Sequence, residues 1–233
     1  MLIYSKARLV ISMLGVAFSV VVMFMEMGFF NGINDSQANL PPLLNADLCI
    51  IDHGRYSMNE PNQFNRLRLQ QALAVDGVIE AIPLYEGMKN LMNPRDKRLR
   101  AIYVLAFPLE SNALLVPGIE KYLDTLKFPR SILFDRLSRN IYGHLPEGSE
   151  VELGGEKHQV VGLVEIGPSI KLDGYVIMSD ASWVLDGGNR DKVNVGLLRV
   201  GPGADVGNIK QKLKSALPDD VHLFTPEELR ARE

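Results

Sequence analysis

Four histidines, one cysteine and a polar cluster near the middle of the chain are the side chains best equipped for chemistry. His53, His144, His158 and His222 are widely separated. No HExxH helix or other paired-ligand spacing joins them, so the expected roles are surface or ordinary packing positions. Asp135, Ser138, Arg139 and His144 place a carboxylate, a hydroxyl, a guanidinium and an imidazole close together in sequence. That is the raw material of a nucleophilic site, but sequence proximity alone does not put a base on a nucleophile. Cys49 is the single cysteine, which excludes an intrachain disulfide and any CxxC redox or metal motif. There is no GxxxxGK[ST] phosphate loop and no GxSxG elbow. Gly201-x-Gly203 followed by Gly207 has the wrong last spacing for a dinucleotide fingerprint and reads as a turn before a helix. Met23, Met25 and Met27 resemble a metal box, yet neighbours two residues apart on a helix point about 200° apart and cannot converge on one ion. No enzyme activity, cofactor or metal is expected from these patterns.

The element that carries the methionines is more informative. From Leu9 to Met25 there is no charged residue; Glu26 interrupts, and the apolar run resumes to Phe30. A helix over 9–30 is roughly 33 Å long at 1.5 Å per residue, enough to cross the hydrocarbon layer. Lys6 and Arg8 precede it, and after it the first charge is Asp35 and the next basic residue Arg55. The positive-inside rule therefore puts residues 1–8 in the cytoplasm and the bulk of the chain outside. A signal peptide cleaved after Ala38, at Ser36-Gln37-Ala38, is the competing expectation, although the apolar run is long for one. Ser12, Gly15, Ser19 and Glu26 fall in one narrow sector of the helix. Small residues on one stripe allow close approach of another spanning helix, and a carboxylate in a span usually faces protein or water. A lone anchor with no packing role for these residues is the simpler alternative.

The 233-residue chain as a whole carries a formal net charge of -3 and scatters its lysines and arginines, and the part after the helix is long enough for real cores. Nucleic acid is thus not an expected partner. After a Pro-containing connector at 31–44, short strands alternate with two helices. Asp47 to Ile51 reads as a strand, Gln63 to Val75 as a helix, and Val78 to Tyr85 and Arg100 to Phe107 as strands. Near the other end the same order returns. Val193 to Val200 is a strand, Asp205 caps a helix to Leu217 with a stripe of Val206, Ile209, Leu213 and Leu217, and Val221 to Phe224 is a strand. Strand, helix, strand at both ends predicts an α+β unit of two split βαβ, ferredoxin-like halves, at 45–110 and 193–233. Between them, 111–192 reads as a β-rich insert: a hairpin from Glu150 to Leu153 and Gln159 to Ile166, then Tyr175 to Met178, with Ser179 capping a short helix.

Several stretches in this order resemble the MacB/FtsX superfamily of ABC transporter permeases, and more narrowly its DevC-type members. ARLVISMLGVAFSVVVMFMEMGFFNG is similar to the family's first spanning helix, and FNRLRLQQALAVDGVIEAIPLY to its first helix and following strand. RSILFDRLSRNIYG carries Leu133, Phe134, Asp135, Ser138, Arg139, Tyr142 and Gly143 at the family's positions, and GPSIKLDGYVIMSD and VNVGLLRVGPGAD continue the likeness.

The resemblance implies a MacB-like periplasmic core domain on a bacterial inner-membrane protein. Its implied partners are a separate ABC ATPase, a periplasmic adaptor and an outer-membrane channel, within a homodimeric permease that exports glycolipid or other envelope material. Such permeases have further spanning helices after the exported domain. The chain ends at Glu233, and no second run of about 20 apolar residues occurs, so it is expected to be the N-terminal part of such a permease. A free-standing anchored binding or scaffold domain, or a secreted enzyme released after Ala38, are the other function classes.

Overall fold

The computed structural model describes residues 6–37, 40–55, 60–169 and 171–232. The chain divides into two compact units, Met1–Gln37 and Ala38–Glu233. The first is helix α1, Lys6–Gln37. Its segment Leu9–Phe30 is long and apolar enough to cross a membrane, and none of its side chains is buried within the protein. The helix does not stop at Phe30 as the connector expectation has it, but runs on through Gln37. Extending an existing helix by polar residues is far easier than starting one. The candidate cleavage after Ala38 and the first five residues of the segment expected in the cytoplasm lie outside the described residues.

The second unit begins with β1 (Leu48–Asp52), β2 (Phe64–Asn65), α2 (Leu67–Leu73), β3 (Val78–Met92) and β4 (Leu99–Phe107). There follow α3 (Leu123–Leu126), β5 (Ser131–Asp135), β6 (Glu150–Leu153), β7 (Glu156–Val164), β8 (Tyr175–Ser179) and α4 (Asp180–Leu185). It ends with β9 (Lys192–Val193), β10 (Val195–Val200), α5 (Val206–Ala216), β11 (Val221–Phe224) and α6 (Pro226–Arg230). Strands β11, β1, β10 and β3 lie side by side in that order, every neighbour antiparallel. In chain order this is 4-1-3-2, the arrangement produced when two βαβ halves interleave, as the α+β reading expects.

Strand β3 is fifteen residues long and serves two sheets. Its first part pairs with β10 up to Leu84, and from Tyr85 onward it pairs with β4. The second sheet continues β4, β8, β5, β7, β6, and β6 returns to β3 at Leu91 and Leu153. The circuit of strands therefore closes on itself. Closure leaves few exposed edges in a sheet that mixes parallel and antiparallel pairs. The second sheet therefore draws on residues well before 111, because one continuous strand crosses between the two.

The first sheet is faced by α2 and α5. Leu48 and Ile50 point to one side with Leu69, Ala72, Ile209 and Leu213, while Cys49 and Ile51 point to the other with Leu40, Leu44 and Leu229. This is the two-residue alternation of a pleated strand buried on both faces. Asp205 caps α5 by accepting the N–H groups of Gly207 and Asn208, and Ser179 caps α4 by accepting that of Ser182. Helix α2 is shorter than expected, because Phe64 and Asn65 pair with Val193 and Lys192 instead. The expected strand from Val193 to Val200 is broken at Asn194, whose side chain is engaged elsewhere.

Candidate functional site

The stretch from Leu133 to Gly143 builds one wall of an open groove of about 800 Å³, whose lining includes Phe134, Arg136, Arg139, His144, Leu145 and Leu163, with Arg95 at its rim. Leu133 and Phe134 project to opposite faces of β5 and join different halves of the core. Asp135 closes the strand and is fully buried. One carboxylate oxygen accepts the N–H groups of Leu137 at 3.1 Å and Ile166 at 3.0 Å, and the other that of Gly167 at 3.0 Å. These bonds tie the turn after β5 to the loop leaving β7. Buried carboxylates need such donors, and here backbone supplies them.

The residues that follow extend the same knot. Ser138 packs against the backbone of Gly174, where an added Cβ would lie 2.1 Å from its hydroxyl. Its Oγ is 3.5 Å from Asp135, at the limit of a hydrogen bond. Arg139 pairs with Asp173 at 3.1 Å, and its N–H donates to the Asp173 carbonyl. Tyr142 donates its hydroxyl to the Ala101 carbonyl at 2.6 Å and meets Phe134 edge-on. Burial, aided by the Asp173 charge, raises the Tyr142 phenol well above its ordinary pKa. Gly143 adopts φ +80°, and a Cβ there would sit 2.8 Å from the Asn93 carboxamide oxygen. Six of the seven motif positions therefore act on one another or on adjacent loops, while Leu133 packs in the core. His144 is exposed on the groove wall, and Asp135 spends its acceptor capacity on backbone rather than on an imidazole.

Sequence reasoning missed a polar network where β3 changes sheets. Arg55 and Glu86 form an ion pair at 2.6 Å with side chains 0% and 1% exposed. Arg55 also donates to the Asn194 carbonyl at 2.7 Å, and Tyr103 donates its hydroxyl to the same Glu86 oxygen at 3.1 Å. The Asn194 side-chain oxygen accepts the Glu86 N–H at 3.0 Å and the Gln63 amide at 3.1 Å. Burial first, and then the Glu86 charge, holds the Tyr103 phenol well above its usual range and pushes the Cys49 thiol up to about 12. A lone buried Arg in a loop gives no sequence signal, since its partner lies 31 residues away.

The fold also sorts the four histidines. His158 is buried, with one ring nitrogen 2.8 Å from Asp186 and the other 3.1 Å from the Glu156 carbonyl. Asp186 is shared with Lys89, whose ammonium also lies over the Trp183 ring. His53 and His222, 169 positions apart, come together with ring centroids 4.6 Å apart. Partial burial, followed by the proximity of His53, lowers the pKa of His222. Among the described residues no three metal-ligating side chains form a cluster.

On α1, Ser12, Gly15 and Ser19 line a shallow groove with Val16, Val20 and Met23. Ser19 donates its hydroxyl to the Gly15 carbonyl at 3.0 Å, so its polar group is satisfied within the helix. A Cβ on Gly15 would meet nothing within 4 Å, leaving the groove open to a neighbour. Glu26 lies two turns beyond Ser19 on the same side, since seven residues return almost to one face.

A family model described as the MacB-like periplasmic core domain matches residues 9–216. No curated protein matches the chain. Among solved structures the chain is similar to the periplasmic region of MacB from Actinobacillus actinomycetemcomitans, with a TM-score of 0.55 and 9% identity over 81% of this chain and 92% of that one. It is also similar to the extracellular domain of the noncanonic ABC-type transporter YknZ from Gram-positive bacteria, with a TM-score of 0.51 and 12% identity over 78% of this chain and 100% of that one. At such identities these likenesses speak for the fold alone.

Proposed function

The chain belongs to the family of the MacB-like periplasmic core domain, and from that premise we propose that it is the N-terminal, membrane-spanning part of an ABC-type exporter permease. The observation that carries this reading is the continuity of the family match, which takes in both the apolar span of α1 and nearly all of the folded unit. In this reading α1 crosses the bacterial inner membrane with its start in the cytoplasm, and the two-sheet unit stands in the periplasm. The role is mechanical rather than catalytic. A separate ATPase drives the spanning helices, and the periplasmic unit relays the motion to an adaptor and an outer-membrane channel. The DevC-like stretches favour glycolipid or other envelope material as cargo, and a homodimer as the working form.

Ser12, Gly15, Ser19 and Glu26 are proposed as the face on which α1 packs against other spanning helices. Lipid gives no hydrophobic drive for such association, so close backbone approach across small residues has to supply it. The test is affinity capture of the full chain from detergent-solubilised membranes of its native host, with and without Gly15→Leu. Recovery of a multi-spanning protein, an ATPase and an adaptor, reduced several-fold by the leucine, is the expected result. Recovery of the intact chain alone would overturn the proposal.

A further inference from the structure

We propose that His53 and His222 form a two-imidazole binding site for a divalent transition metal, with Cu2+ or Ni2+ as the best-fitting ions. The inference does not depend on the transport role. It begins from strand register. Ile51 of β1 stands opposite His222 of β11, and two residues further on the His53 N–H donates to the Asp220 carbonyl at 2.9 Å. His53 and His222 are therefore diagonal neighbours across an antiparallel pair, a position from which long side chains can meet.

Ring spacing selects among ions. A metal held at about 2.1 Å from a ring nitrogen lies about 3.2 Å from that ring's centroid. Two rings that share a metal at a cis angle of about 90° then have centroids about 4.5 Å apart, against about 5.2 Å at the tetrahedral angle. The observed separation is 4.6 Å with the ring planes tilted by 44°. That spacing suits the tetragonal geometry of Cu2+ and Ni2+ better than the tetrahedral geometry of a structural zinc, and the affinity order of divalent ions also favours Cu2+.

The surroundings leave room for the remaining positions. The pair opens on a groove of about 480 Å³ that Asp219 and Lys214 also line. Among the described residues no third metal-ligating side chain joins the pair, so water completes the coordination. Asp52 favours positive charge at His222 whereas His53, Arg232 and Lys214 oppose it, so two imidazoles have to hold the ion against two nearby cationic side chains. Ring stacking without a metal is the competing arrangement at this distance, and uptake of the ion distinguishes the two.

The full chain in detergent, carrying a tag without histidine, would be titrated with CuCl2 and followed by electron paramagnetic resonance. One ion per chain with coupling to two nitrogens is expected. His53→Gln and His222→Gln should each weaken binding at least about tenfold, because the second ligand otherwise closes intramolecularly, while His144→Gln should not. Circular dichroism checks that the variants fold. For the unmodified chain, NiCl2 should broaden the ring resonances of His53 and His222 and spare His144. Absence of binding, survival of binding in either glutamine variant, or broadening that spares either ring would overturn the proposal.

Discussion

Replacing Arg55 by Met removes the cation of a buried ion pair while roughly keeping its volume. Glu86 would be left with its carboxylate out of water, 1% exposed, and without the guanidinium that stands at 2.6 Å. The Asn194 carbonyl would also lose the donor at 2.7 Å. Breaking a buried pair from one side typically costs about 3–5 kcal/mol, because the surviving charge is uncompensated. For a unit of this size each kcal/mol shifts the melting temperature by about 2–4 °C, so a drop of about 6–20 °C is expected. Trp183 is the single tryptophan and lies in the same folded unit, so urea unfolding of the detergent-solubilised chain can be read from its fluorescence. The double variant Arg55→Met with Glu86→Met tests the reasoning more sharply. It removes both charges together, and should be less destabilised than Arg55→Met alone, because an apolar replacement of a buried pair is often neutral. Tyr103→Phe removes only the hydroxyl at 3.1 Å from Glu86 and should cost about 1.5–3 kcal/mol. An Arg55→Met loss below about 1 kcal/mol, with additive effects in the double variant, would refute the reading that this buried pair stabilises the place where β3 changes sheets.

Gly143→Ala should destabilise by about 1–3 kcal/mol through backbone strain and the clash with Asn93, and more than Gly148→Ala, where φ is also positive but the space is open. Equal losses in urea titrations would remove the clash from the account. Cys49, buried and raised to about 12, should react with a maleimide at neutral pH roughly a thousandfold more slowly than a free thiol, and at the free rate once unfolded. Native labelling within tenfold of the free rate would contradict its burial. Glu228 is held below its ordinary 4.5 chiefly by the Lys210 ammonium and also by the Thr225 N–H. Its folded pKa is lowered, so its contribution is complete above pH 4.5 and is lost as pH falls through the folded value. The Thr225 amide resonance should therefore move with a midpoint below 4.5, and a midpoint at or above it would show that α6 gains nothing from the capping carboxylate.

Elements with a strong local signature were legible in the sequence. The span at 9–30, the β11 strand with its bounds, the α5 stripe with its Asp205 cap and the Ser179 cap all follow from periodicity or capping chemistry that a short window contains. What escaped depends on residues far apart. Strand β5, buried along its whole length, is five apolar-rich residues with no alternation to separate strand from helix, and only its neighbours β7 and β8 fix it. The break at Asn194 has the same origin. Nothing in the run Val193 to Val200 announces it, because the reason is a carboxamide drawn to the Glu86 N–H on another strand. The motif residues were found as a group, yet the reason for the group appeared only in three dimensions. Asp135 needs the N–H groups of Ile166 and Gly167, and Ser138 needs the bare backbone at Gly174. Both requirements act on loops that leave or enter the closed sheet, so the motif fixes how those loops meet the sheet. The same logic assigns a mechanical meaning to β3. A strand that belongs to both sheets makes displacement of one felt in the other, and a buried pair at Glu86, just past the crossing point, resists any bending that would open the joint to water. The proposed relay role requires stiffness at that joint, and loosening Arg55 while leaving the groove and α1 intact should uncouple the sheets before it changes anything else.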